Sequence, residues 1–87
     1  MGTLTLNDGT VLLNSSALLS TGNLFIYVHH EGIDIAGVFN AFVDPAKTSK
    51  IVFTQVNGEE TIYTNYVKLI SVRDEGDGLY TAVLNRE

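Results

Sequence analysis

Eighty-seven residues, 45% of them hydrophobic and 17% charged, suit one folded domain over 1–87 and are too few for two. Ten acidic side chains against five basic ones, a formal charge of −5, disfavour the clustered positive surface that binding to nucleic acid needs. With no cysteine present, a disulfide framework, a thiolate zinc site and a cysteine nucleophile are excluded together.

The first segment, TLTLNDGTVLL, alternates Leu4 and Leu6 with threonines, turns at Asp8-Gly9 and resumes at Val11 and Leu13. A two-residue loop there sets Leu6 opposite Val11 and Leu4 opposite Leu13, with all four on one face of a hairpin. Asn14 to Ser16 reads as a polar break. After a turn at Thr21-Gly22-Asn23 comes a strongly β-prone run, with Leu24, Ile26 and Val28 on one face and Phe25, Tyr27 and His29 on the other. Two largely apolar faces predict a central strand.

From Asp34 the period changes to about 3.6, with Ile35, Val38, Phe39, Phe42 and Val43 at helical spacing and Asp34 placed as N-cap. Asp44-Pro45 disfavours continuation, and Asp44 is suited to cap one further turn through PAKTS. KIVFTQVNGEETIY predicts a hairpin with a type I′ turn at Asn57-Gly58, in which Phe53 faces Ile62 and Val52 faces Tyr63. The last section predicts two strands joined by the glycine-rich turn Asp74 to Gly78, and Asn65 marks a bend between one pairing and the next. The sum predicts an α+β fold: about six mostly antiparallel strands in hairpins, as a small sheet or partly open barrel, with one amphipathic helix near residues 34–43.

Motifs for chemistry are sparse. His29 and His30 point to opposite sides of a strand and so cannot share one ion, and a site completed by Glu31 or Asp34 would be weak. RDEGDG has the composition of a calcium loop but lacks its spacing and terminal bidentate glutamate, so it reads as a hairpin connector. No serine lies in a nucleophile elbow, and no glycine loop for phosphate is present. The expectation is a protein that is not an enzyme and takes no metal or cofactor.

The five cations are Lys47, Lys50, Lys68, Arg73 and Arg86. Lys47, Thr48, Ser49 and Lys50 follow the helix, where ammonium groups, hydroxyls and amides could hold a small anion. Arg73 is a further phosphate ligand in this reading, and Tyr63, Tyr66 or Tyr80 supplies a stacking surface. Lys47, Thr48, Lys50, Tyr63, Tyr66 and Arg73 are therefore the candidate binding residues, against the plainer reading of a solvated loop and amphipathic strand tyrosines.

Through TLNDG, VFNAFVDPAKTSKIVF and YVKLISVRDEGDGLYTAVLNRE the chain resembles small proteins encoded by phages and prophages of gut Firmicutes. The resemblance lies in length and general pattern over most of the chain and brings no catalytic motif. It implies a protein of the host bacterial cytoplasm, or of the virion. Two functions fit that setting. One is a non-enzymatic inhibitor that sequesters a nucleotide messenger or a defence protein of the host; the other is a structural part of a virion or tail module. An enzyme with a site between subunits ranks third. A small core makes a homo-oligomer the expected state, and nothing in the chain points to a membrane.

Overall fold

Alternation, not helical periodicity, governs most of the chain. The computed structural model describes residues 2–29 and 35–86. Its strands are β1 (Gly2–Thr5), β2 (Val11–Ser20), β3 (Asn23–His29), β4 (Lys50–Thr54), β5 (Glu60–Thr64), β6 (Lys68–Gly76) and β7 (Leu79–Asn85). They form one antiparallel sheet in the order β5-β4-β1-β2-β3-β7-β6. The helices are α1 (Ile35–Val43) and α2 (Pro45–Thr48), nine and four residues long.

The fold is therefore mostly β, and the expectation of an α+β domain with about six strands is corrected. Seven strands carry the architecture, and the helical segments sit within a single connection, from β3 to β4. Local periodicity showed where the chain turns helical but not how little of the fold that segment makes. Val38 and Phe42 are buried as expected, whereas Val43, expected on the same apolar face, is 50% exposed. The expected cap Asp34 lies outside the described residues, as do His30, Glu31 and the side chains of Ile35 and Phe39.

The predicted break at Asn14 to Ser16 is in fact the middle of β2. Asn14 takes a positive φ of 53°, and Ser15 turns inward, its hydroxyl donating to the Leu12 carbonyl at 2.8 Å and towards the Gly2 carbonyl at 3.4 Å. Those bonds satisfy a serine buried to 1% exposure, so polarity there bends the strand without ending it. The bend lets β2 pair with β1 through its first half and with β3 through its second.

Two expected hairpin registers are each off by one residue. Leu6 and Thr10 close the first loop through Leu6 N–H donating to the Thr10 carbonyl, and Gln55 and Glu59 close the second in the same way, both at 2.8 Å. Three residues then fill each loop, with Gly9 (φ 94°) and Gly58 (φ 91°) left-handed at its third position, the pattern of a type I turn with a glycine bulge. Leu4 consequently faces Leu12, while Val52 faces Ile62 and Ile51 faces Tyr63. Because strand period is two, the slip sends Val11 and Leu13 outward and Leu12 into the core. Two-residue loops do occur, at Thr21-Gly22 and Asp77-Gly78, where both residues have positive φ.

The core lies on the inner face of the sheet. Leu4, Leu24, Ile26, Ile51 and Leu84 are wholly buried there, closed over by Val38 and Phe42 of α1 and by Tyr66. β3 is flanked by β2 and β7 and buries Leu24, Ile26 and Val28 on one face, as its alternation predicts. At Asn65, with φ 67°, the chain leaves its pairing with β4 and, by Lys68, has begun its pairing with β7. Residues 65–67 thus join the two edge strands of the sheet.

Candidate functional site

The six residues expected to bind an anion are not assembled into one site. Asp44 caps α2, accepting from Ala46 N–H at 3.0 Å, and this turn docks on the β1–β2 loop through Asn7 N–H to the Lys47 carbonyl at 2.7 Å. Lys47 is consequently held 3.5 Å from the Asp8 carboxylate. Hydrogen bonds from Thr10, with Lys47 as a smaller influence, hold the Asp8 carboxyl below the usual carboxylate range. Thr48 is buried, its hydroxyl 3.4 Å from the Asp44 carbonyl. Arg73 lies on β6 with its Nε 3.6 Å from Glu75. Lys50 is exposed and pairs with Thr64 on the outer face, opposite to the face shared by Ile51 and Tyr63.

Tyr63 and Tyr66 do come together, edge to face with ring centroids 6.2 Å apart. Burial, with a smaller contribution from Tyr66, raises the Tyr63 phenol above its ordinary value. The cation beside them is Arg86, not Lys50: its guanidinium stands 4.7 Å from the Tyr66 ring centre and its Nε donates to the Thr64 carbonyl at 3.1 Å. This cluster ties the end of β7 to the end of β5. Tyr80 is buried among the core residues, and that burial, followed by the charge of Asp74, raises its phenol as well.

The other features singled out in the sequence serve turns. His29 Nε2 lies 2.9 Å from the Asp77 carbonyl, bracing the β6–β7 turn. Asp74 accepts from Gly76 N–H at 2.9 Å, closing a bulge before that turn. Among the described residues, no group of three or more histidine and acidic side chains is placed to hold a metal ion.

What the register does assemble is an apolar row on the outer face. Ile62 of β5 faces Val52 of β4, Val52 faces Thr5 of β1, and Thr5 faces Val11 of β2. Ile62 and Val11 are 55% and 51% exposed, and Val52 and Thr5 are half-buried between them. Beside this row is a shallow depression of about 390 Å³ lined by Thr3, Leu13, Asn14, Thr54 and Val56, with Leu13 and Val56 both largely exposed. Threonines contribute methyl groups along the strip, and a threonine hydroxyl can both donate and accept a hydrogen bond. No residue of this surface was among the sequence candidates, because it depends on pairing across four strands.

No family model matches the chain, and no significant match is found among curated proteins or solved structures. No helix among the described residues is long and apolar enough to cross a membrane.

Proposed function

We propose that this chain is a small non-enzymatic binding protein that works by occupying a protein surface with the outer face of β5, β4, β1 and β2. The observation that carries this reading is the aligned row Ile62, Val52, Thr5 and Val11 beside the depression at Leu13 and Val56. Exposed apolar side chains in register across strands are what a protein partner covers. In the phage setting that the resemblance implies, the partner is a host defence protein, inactivated by mass action when bound. Capture of a nucleotide messenger is less well supported, since Lys47 and Arg73 already face carboxylates and Thr48 is buried.

The test is phage plating on bacteria that carry defined defence systems and express the chain. The native chain should restore plaques against one system. Val11→Ser with Leu13→Ser should abolish that effect while circular dichroism and unfolding midpoint stay unchanged. Unaltered protection by this double variant overturns the reading. A nucleotide-dependent rise in melting temperature, lost on changing Lys47 and Lys50 to alanine, would replace it with messenger capture.

The structural role in a virion or tail module remains the second reading, favoured by the regular, exposed edge strand β5. It requires rings or larger particles in sedimentation.

A further inference from the structure

The sheet has two edges, and they differ. β6 is interrupted by register shifts between Leu69 and Ser71 and between Asp74 and Gly76, carries Lys68, Arg73, Asp74 and Glu75, and has α1 packed against it. These are the devices by which natural sheets prevent edge-to-edge pairing. β5 has neither a register shift nor a packed helix, and its one cover among the described residues is the Arg86 side chain at the Thr64 end. It pairs with β4 without a shift from Thr64 to Glu60, its sequence Glu-Thr-Ile-Tyr-Thr is strongly β-prone, and its single charge is Glu60.

The hydrogen-bond pattern shows which backbone groups this edge presents. Gln55 bonds Glu59 and Asn65 N–H bonds the Ser49 carbonyl, so the odd-numbered residues 59 to 65 direct their backbone groups at β4. Glu60, Ile62 and Thr64 therefore direct theirs away from the sheet. The Thr64 carbonyl accordingly accepts from Arg86, while the outward groups of Glu60 and Ile62 meet no partner among the described residues.

We propose that β5 is a self-association edge, and that two copies of this chain pair antiparallel through it about a two-fold axis at Ile62. In that register Ile62 and its copy exchange both backbone hydrogen bonds and bring their side chains together on the outer face. Glu60 stands opposite the partner subunit's Thr64. Lys50 is the cross-strand neighbour of Thr64, so Glu60 also lies two strand spacings, about 10 Å between Cα atoms, from the partner subunit's Lys50 on the same face. Extended glutamate and lysine side chains span that separation, and the symmetry makes the contact twice. The pairing is thus self-complementary in apolar contact, in charge and in the Ile62 hydrogen bonds, and the Thr64 carbonyl, with two lone pairs, accepts from the partner's Glu60 N–H beside its bond from Arg86. It runs the row Ile62, Val52, Thr5 and Val11 on into its copy, and it does not depend on what the outer face binds. Because β6 is protected, pairing at β5 stops at a closed dimer.

Analytical ultracentrifugation of the full chain tests this. A five-residue edge buries less than about 1,200 Å², so the expected result is a reversible dimer with a dissociation constant of about 10–100 µM. Ile62→Pro should raise that constant at least about 10-fold with circular dichroism retained, since the Ile62 N–H points away from β4 and proline is tolerated at such edge positions. Ile62→Lys, which keeps the backbone donor, should do the same through charge repulsion at the two-fold axis and guards against a folding defect in the proline variant. Lys50→Glu and Glu60→Lys should each weaken the dimer and together restore it. A chain monomeric up to about 500 µM overturns the proposal, since that lies well above the affinity expected of a specific edge. So does a dimer indifferent to both Ile62 variants, or a charge-swapped double variant weaker than either single one. Val11→Ser with Leu13→Ser, which probes the outer face, should leave the dimer intact, so failure of one proposal is distinguishable from failure of the other.

Discussion

Arg86 and Tyr66 form the closing contact of the sheet, the guanidinium 4.7 Å from the ring centre and its Nε donating to the neighbouring Thr64 carbonyl. Because β5 and β6 are the two edges, nothing in the ladder itself connects the end of β7 to β5. The arginine supplies that link with a cation–π contact and one hydrogen bond in a solvent-accessible place. Arg86→Ala should therefore lower unfolding free energy by about 1 kcal/mol. Arg86→Lys should recover only part of that loss, because an ammonium cannot hold the planar fork over the ring. Urea denaturation of the three proteins checks the order, and an alanine variant as stable as the native chain would refute it.

The one-residue slip of the first hairpin separates two adjacent leucines. Leu12 is 5% exposed and packs with the core, and Leu13 is 55% exposed on the outer face. Leu12→Ala should cost about 2–4 kcal/mol, most of what a core this small supplies. Leu13→Ser should stay within about 0.5 kcal/mol of the native chain. The reverse order in chemical denaturation would mean that the two-residue loop predicted at Asp8-Gly9 is the one formed.

Acid sensitivity should be traceable in part to Asp8. Hydrogen bonds from Thr10, and more weakly Lys47, lower its folded pKa beneath the unfolded one. The unfolded chain then binds the proton more readily. The stabilising contribution is complete above the ordinary carboxylate pKa of about 4 and is lost as pH falls below it. Asp8→Asn keeps an oxygen that accepts from Thr10 N–H but has no proton to take up. Its urea midpoint should fall less steeply than that of the native chain between about pH 5 and pH 2, where an unperturbed carboxyl titrates. Parallel curves would remove Asp8 from the acid transition.

These positions also show what could be read from sequence. The burial of Leu24, Ile26 and Val28 followed from alternation, and the short turn after Asp44-Pro45 followed from capping chemistry, since both depend on neighbours in the chain. Asp8-Gly9 and Asn57-Gly58 marked turns correctly but not loop lengths, because a glycine at positive φ suits a two-residue loop and a three-residue bulged one alike. Ser15 looked like loop polarity because the carbonyls that satisfy it, Leu12 and Gly2, are brought near only by the folded strands. The row from Ile62 to Val11 depends on three successive strand pairings and was hidden for the same reason. Helical spacing marked α1 at 35–43, but as a local signal it could not show that distant strand pairings, not this helix, set the fold class.

Asn65 was legible as a bend, and its conformation explains why the residue type matters. With φ at 67° it sits in the left-handed region, and its N–H donates to the Ser49 carbonyl at 2.8 Å. At this point the chain leaves its pairing with β4 before taking up the one with β7. Asparagine tolerates that region and glycine adopts it freely, whereas a β-branched side chain meets its own backbone there. Asn65→Gly should thus fall within about 0.5 kcal/mol of the native chain, and Asn65→Val should lose about 1–2 kcal/mol. The valine substitution is conservative by strand propensity, so a stability loss there reports backbone handedness. Equal midpoints for the two variants would place the change of direction at another residue of 65–67.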